Sequence, residues 1–283
     1  MSGVLSFGEI LWDVFDGKKQ LGGAPLNFAA HFAKLGGKAD MMSAVGNDAL
    51  GDEAINAVKS HGVGVEYVAR VELPTGRCNI TLADGSPHYD LVCPVAYDAI
   101  PFCETSQQYD ALYYGTLACR SEASLKTLNR LLKRNDIKER FFDVNIRQNY
   151  YTYDLLHHLT SNATVLKVSR EEISVFGKGE PVFVANMLLD KYKNLNAVAL
   201  TLDKDGAAFI RRGHEPVYSQ KPTGRVVSTV GGGDSFSAGL LQGLMSGRND
   251  ADAVKRAVML SDYVVTQLGA IPDYSKELKD ALL

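Results

Sequence analysis

Four short apolar runs, most of them followed by a stretch with helical spacing, set the strongest limit on how this chain can fold. "DALYYG" precedes a helical pattern over residues 124–135, "RFFDVN" one over 153–159, and "ATVLKVS" one that begins at Arg170. The fourth run, "NAVALTL", leads into "DKDGAAFIRRG", which reads as a hairpin. Strands separated by helices run parallel, and their crossovers cover both faces of the sheet. The N-terminal part fits the same plan. "VLSFGEILWD" is a strand that gives way at Gly8 to a second extended piece ending in Asp13, "GGAPLNFAAHFAKLGG" is a helix between glycine pairs, "ADMMSAVG" is a strand and 48–60 a helix. Two final helices are predicted over 234–245 and 251–268, the second stopped by Gly269.

Between 62 and 94 the period changes. "GRCNITLADGSPHYDLV" alternates its side chains around the turn-forming "DGSP", which predicts a β-hairpin of a small appended sheet. The predicted organisation is one α/β domain, 1–283, with a mostly parallel sheet and a small β-sheet lid formed by about 10–21 and 63–94.

With 283 residues, 46% of them hydrophobic, the chain can bury a large core. The net charge is -3, and no run of Lys or Arg exceeds a pair, so the sequence offers neither a nucleic-acid surface nor a polybasic membrane surface. Cys78, Cys93, Cys103 and Cys119 lack C-x-x-C spacing and read as free thiols. No apolar stretch approaches the ~18 residues of a membrane span, and the first residues lack a basic leader pattern. A cytoplasmic protein is expected.

The most informative stretch is "STVGGGDSFSAGLLQGLM", residues 228–245. Phe236, Leu240, Leu241 and Leu244 give its helix an apolar face, which places Gly231, Gly232 and Gly233 at the helix mouth, where unpartnered N–H groups and the macrodipole attract an anion. No G-x-x-x-x-G-K-[ST] and no G-x-G-x-x-G occurs in the chain. An anion hole with a carboxylate one residue further on suits phosphoryl transfer. The amides meet the charge of the moving phosphoryl group, and Asp234 accepts the proton of the attacking hydroxyl. The alternative is a plain acidic residue in the first helical turn. Ser235 and Ser237 sit in no G-x-S-x-G elbow, and His157 and His158 have no metal-ligand companions at useful spacing and read as surface residues.

"STVGGGDSFSAG" resembles the second signature of the ribokinase-like (PfkB-type) carbohydrate kinases, and "GGAPLNFAAHFAKLGG" resembles their first. The two stand in the family's order, so the resemblance covers essentially the whole chain; "GEILWD", "GGAPLNFA" and "DVNIRQ" are most similar to fructokinases. The resemblance implies a three-layer α/β sandwich, ATP as co-substrate, Mg²⁺, a small-molecule sugar and a homodimer through the lid. It implies fructose converted to fructose 6-phosphate. Open alternatives are another furanose, a 2-keto-3-deoxy sugar acid or a nucleoside, or a sugar sensor of the same fold without turnover.

Carried over by position, Asp13, Gly23 and Asn27 match the residues that hold sugar hydroxyls, the alternative for Asn27 being a helix cap. Asp143, Asn145 and Arg147 form D-x-N-x-R at the end of a strand, where open α/β sheets place ligands; Arg147 resembles a substrate-side or phosphate-side arginine, and in isolation reads as a surface residue. "KVSREE" resembles N-x-x-E, with Lys167 and Ser169 on the nucleotide side and Glu172 ordering magnesium through water. Without the family, Glu172 is one of two solvated glutamates opening a helix. "TLDKDG" resembles T-x-G-x-x-G, in which Thr201 and Gly206 line the nucleotide and Asp203 replaces a glycine. Ser261 and "LGA" (268–270) resemble the segment beside the adenine. Ser228 stands where the family usually has aspartate near a monovalent-cation loop, so potassium activation is not expected.

Overall fold

Every residue of the segment Ala111–Gly115 is buried, and its side chains divide between two cores: Ala111 and Tyr113 join one, Leu112 and Tyr114 the other. That division is what the parallel-sheet reading requires, because alternate side chains point to opposite faces and both faces are covered. The computed structural model describes residues 3–83, 86–219 and 225–282. Its strands are β1 (Gly3–Phe7), β2 (Leu11–Phe15), β3 (Lys18–Gly22), β4 (Lys38–Gly46), β5 (Gly64–Val71), β6 (Gly76–Ala83), β7 (Ser86–Leu91), β8 (Ala111–Gly115), β9 (Glu139–Asp143), β10 (Val165–Ser169), β11 (Ala197–Thr201), β12 (Ala207–Arg211) and β13 (Val217–Tyr218). Its helices are α1 (Ala24–Lys34), α2 (Ala49–Ser60), α3 (Glu122–Leu132), α4 (Tyr153–Asn162), α5 (Pro181–Lys191), α6 (Gly232–Met245), α7 (Asp250–Val265) and α8 (Lys276–Leu282).

Among the described residues, nine strands form one sheet in the order β13-β12-β11-β10-β9-β8-β1-β4-β5. Pairing is parallel from β5 to β11 and antiparallel from β11 to β13, so "NAVALTL" and "AAFIR" do form the expected hairpin. Helices α1, α2, α6 and α7 pack on the face that carries Val4, Met41, Tyr113 and Phe141. Helices α3, α4 and α5 cover the other, with Leu5, Met42, Tyr114 and Phe142. The result is a three-layer α/β sandwich with a second, four-stranded sheet in the order β3-β2-β6-β7. Helix starts follow local chemistry: Asp48, Thr152 and Asn249 accept from the N–H groups of Gly51, Leu155 and Asp252, and prolines stand in the first turns of α1 and α5.

Three sequence expectations change. The segment 63–94 divides: Gly64–Val71 is the edge of the large sheet, paired in parallel with β4, and only β6 and β7 join β2 and β3 in the small one. The turn residues Asp84 and Gly85 lie outside the described residues. The helix expected from Arg170 begins instead at Pro181, after a single 3-10 turn at Glu172–Val175. Gly179 breaks the segment at φ 129, a value that glycine alone adopts readily. A third C-terminal helix, α8, follows the two expected, its Leu278 and Leu282 packed with Leu35, Leu260 and Val264. No helix among the described residues is long and apolar enough to cross a membrane.

Candidate active site

Because β1, β9, β10 and β11 run parallel, Glu9, Asp143, Ser169 and Thr201 all stand at one edge of the large sheet. The chain leaves β1 toward β4 and β5 on one side, while β8 to β13 extend on the other. Such a reversal opens a crevice at the carboxyl ends of the strands. The N-termini of α1 and α6 supply its walls.

At the mouth of α6, Gly231 is left-handed (φ 80), and a Cβ there would lie 2.5 Å from the Ala270 carbonyl oxygen, so a larger residue fits neither the backbone nor the space. Ser235 and Ser261 both donate to the Gly232 carbonyl, at 3.0 and 2.9 Å, and fix that peptide. The Gly232 N–H makes a long 3.3 Å bond to the Thr229 carbonyl. The expected anion hole is therefore a rigid turn, with one amide engaged only weakly. At the mouth of α1, Gly23 (φ 113) abuts the Glu9 carbonyl, which would lie 2.4 Å from an added Cβ.

The two mouths meet in one contact. Asn27 donates through Nδ2 to Asp234 Oδ2 at 2.8 Å. Burial first, and then the charge of Asp143, push the Asp234 carboxyl up to about 6, against the pull of Asn27, Lys167 and Arg147. A carboxylate with such a value is still ionised at neutral pH and is a better proton acceptor than an ordinary one. Asp13, half-buried on β2, is also raised by burial, with Arg147 and Cys78 opposing. Arg147 itself is exposed in the loop after β9, yet its charge acts on Glu9, Asp13 and Asp234 together. D-x-N-x-R thus delivers its arginine within the field of these three carboxyls.

Beneath them lies a buried ion pair. Lys167 Nζ donates to Asp143 Oδ1 at 3.0 Å, and Asp143 Oδ2 accepts from Tyr113 at 3.0 Å and Ser237 at 2.9 Å. Burial opposes the lysine's charge, but Asp143 and Glu172 outweigh it and hold the ammonium above its ordinary value. Nζ is 3.0 Å from where a Gly233 side chain would begin, which puts a fixed cation beside the amides of α6.

Glu172 follows β10. Its two oxygens accept from the N–H groups of Ile146 (2.8 Å) and Ser169 (3.0 Å), while Ser169 Oγ accepts from the Glu172 N–H at 3.2 Å. Burial works against its charge, but Lys167 and these donors prevail and hold the carboxyl below its usual range. Among the described residues no cluster of three His, Cys, Asp or Glu could hold a metal directly. An ionised carboxylate whose oxygens already take backbone donors fits Mg²⁺ held chiefly by phosphate oxygens and water.

Thr201 ends β11, and Asp203 and Gly206 form the turn into β12. Asp203 has φ 52, so the residue occupies the left-handed conformation that suits the glycine it replaces, and aspartate is among the side chains that tolerate it. The Oγ of Ser228 accepts from the Val230 N–H at 3.3 Å. His157 pairs with the Tyr192 hydroxyl and His158 with Asn129, both on α4 and away from the crevice edge.

Sequence reasoning missed two residues here. Glu9 is 2% exposed at the end of β1, and burial pushes its carboxyl up to about 7, with Asp234 adding to the effect. Its local signal was an acid inside the apolar run "VLSFGEIL". His31 is fully buried on α1 between the Tyr274 hydroxyl (2.5 Å) and the Ala270 carbonyl (2.8 Å), partners that its own neighbourhood in sequence does not reveal.

The family pattern for pfkB family carbohydrate kinases matches residues 3–277. The chain belongs to the PfkB family. This kinase is 27% identical over 299 residues to the ATP-dependent 6-phosphofructokinase of Thermoanaerobacterium thermosaccharolyticum, covering 95% of this chain and 90% of that protein. It is 29% identical over 269 residues to the 2-dehydro-3-deoxygluconokinase of Bacillus subtilis, covering 87% and 81%. In three dimensions the kinase is similar to the fructokinase of Vibrio cholerae O395 bound to fructose, ADP and calcium, with a TM-score of 0.83, 22% identity, and 96% and 95% of the two chains covered.

Proposed function

We propose that this kinase transfers the γ-phosphoryl group of ATP to the hydroxymethyl group of a neutral sugar, and that the sugar is fructose and the product fructose 6-phosphate. The observation that carries the reading is the 2.8 Å bond between Asn27 and Asp234, which sets a sugar-binding amide against a carboxylate at the mouth of α6. Asp234 accepts the proton of the attacking hydroxyl. The hydroxyl oxygen bonds to the γ-phosphorus while the bond to the bridging oxygen breaks, releasing ADP. The amides of Gly231, Gly232 and Gly233 and the ammonium of Lys167 meet the charge on the moving group. Asp13, Gly23, Asn27 and Arg147 hold the sugar. Ser169, Thr201, Asp203, Gly206 and Ser261 flank the nucleotide, and Mg²⁺, when bound, neutralises phosphate charge near Glu172. Closure of the small sheet over the crevice keeps water from the γ-phosphate.

A sugar acid or a sugar phosphate is the second reading, and the names of the two relatives favour it. Charge argues the other way. Glu9, Asp13 and Asp234 share the field of Arg147, so a further anion there meets three carboxyls and one guanidinium. An assay of ADP release with Mg–ATP decides between them, using fructose, other furanoses, 2-keto-3-deoxygluconate, fructose 6-phosphate and nucleosides. Fructose as the preferred acceptor by kcat/KM is the expected result, and preference for an acid or a phosphate overturns it. ATP consumption with any acceptor also separates a kinase from a sensor.

The same reading includes a cytoplasmic setting and a homodimer through the small sheet. In that sheet Cys78 is buried and Ile80 half-buried, and the side chain of Leu82 lies outside the described residues. A strictly monomeric mass by light scattering would exclude the dimer. Potassium activation has little support, since Ser228 offers a neutral hydroxyl.

A further inference from the structure

Glu9 holds a carboxyl that packing alone does not require. The residue follows β1 directly and lies against the mouth of α1, where its Cγ would touch a side chain at Gly23. Backbone N–H groups of Glu9 itself and of Ala24 bond to the carboxyl. Its Oε2, however, is buried without a hydrogen-bond partner among the described residues, and Asn27 Oδ1, one turn into α1, is in the same condition. A buried acceptor left without a donor forfeits the hydrogen bonds it made in water, and the cost is greater when it is charged.

Both orphan oxygens belong to residues coupled to Asp234, Asn27 by a hydrogen bond and Glu9 by charge. The groups whose charges act together with that of Glu9 are Asp234 on α6, Arg147 in the loop after β9, Tyr97, Tyr113 on β8 and Cys119. Of these, Arg147 is the only cation, and it lies on the exposed side. What the site lacks is hydrogen-bond donors. A ligand that brings adjacent hydroxyl groups supplies them.

We propose that Glu9 is a sugar-binding residue, its Oε2 receiving the hydrogen of one sugar hydroxyl while Asn27 Oδ1 receives that of a neighbouring one. The inference rests on the sugar-kinase reading and narrows it: the acceptor is a neutral polyol with two neighbouring free hydroxyls close to the reacting hydroxymethyl group. Asp234, with the lower value, ionises first, and its charge helps to hold the Glu9 carboxyl up.

Glu9→Gln is the test, because it keeps one carbonyl oxygen for the Ala24 N–H and exchanges the acceptor Oε2 for an amino group. The sugar KM is expected to rise at least about tenfold and the ATP KM to stay within about twofold, with the acid limb of kcat near pH 6 left in place because the Glu9 carboxyl is already mostly protonated there. A series of monodeoxy sugars gives a second readout: one of them should lose affinity for the wild type and lose no more for the variant. Unchanged sugar KM and deoxy-sugar ranking would overturn the proposal, leaving Glu9 as a cap of α1. Should the variant fail to fold, the titration of the Glu9 carboxyl in ¹³C-glutamate-labelled wild-type protein decides. Saturating sugar should lower its midpoint, and an unmoved midpoint overturns the proposal. Wild-type protein that binds and phosphorylates no neutral sugar defeats the sugar-kinase reading as well, whereas fructose turnover with an indifferent Glu9 defeats this inference alone.

Discussion

Asn27 and Asp234 are joined by a 2.8 Å hydrogen bond across a separation of 207 residues. The bond ties the helix of the first glycine signature to the carboxylate of the second and fixes the orientation of the proposed base. Asp234→Asn should lower kcat by about 10²-fold to 10⁴-fold, with sugar and ADP affinities within a few-fold by calorimetry. The base must be ionised to accept a proton, so wild-type kcat should be lost as pH falls through about 6. Near-wild-type turnover by the Asn variant would remove Asp234 from the chemistry.

The pair Lys167–Asp143 is buried, and breaking such a pair from one side leaves an uncompensated charge. Lys167→Met should cost about 3–5 kcal/mol of stability in denaturant titrations. Adding Asp143→Asn should recover part of the loss without restoring turnover, because the cation beside Gly233 remains absent. A single variant as stable as wild type would show that the carboxyl of Asp143 takes up a proton at little cost.

Asp203 combines a left-handed backbone with a carboxylate in the turn after β11, on the proposed nucleotide side of the crevice. Asp203→Gly should keep the melting temperature within a few degrees and lower the ATP KM several-fold. Asp203→Val should destabilise by about 1–3 kcal/mol, since a β-branched residue is strained there. Equal melting temperatures for the two variants would contradict the observed backbone.

Burial holds His31 neutral and lowers its pKa from 6.5 to about 4, with the bond to Ala270 opposing and the nearby Lys34 assisting. The unfolded chain takes up the proton at higher pH than the folded one. Stability is therefore fully present above about 6.5 and is lost as pH falls toward about 4, by on the order of 3 kcal/mol for this group. His31→Gln should be less stable than wild type at pH 8 and approach it at pH 5 in urea titrations. A stability difference independent of pH would show that folding does not shift the titration of His31.

Alternating apolar runs and glycine signatures made the sandwich legible, together with which candidate residues it gathers at one edge of the sheet, because both express local backbone requirements. The failures lie where distant partners decide. Gly64–Val71 alternates much as a hairpin strand does, and only pairing with β4 assigns it to the large sheet. "SREEISVFGKGE" begins like a helix, with acids in its first turn, yet its glycines stop it and Pro181 starts the next. Glu9 and His31 draw their meaning from Asp234 and Ala270, which no spacing rule reaches.

The small sheet is assembled from two separate excursions of the chain, β2–β3 and β6–β7, and its internal seam is the parallel contact of β2 with β6. The chain passes between the sheets just after β1, just before α1, between β5 and β6, and again after β7. A flap tethered at one point can swing in any direction, but one anchored on both sides of its seam behaves like a door on two pins and keeps a single axis of rotation. In the proposed closure such an element would reach the same position at every swing, with little orientational entropy left to lose. Cutting one anchor, for instance by inserting flexible residues between Leu73 and Pro74, would turn the door into a pennant, and of the crevice residues it would loosen Asp13 on β2 while leaving those on the large sheet, α1 and α6 in place.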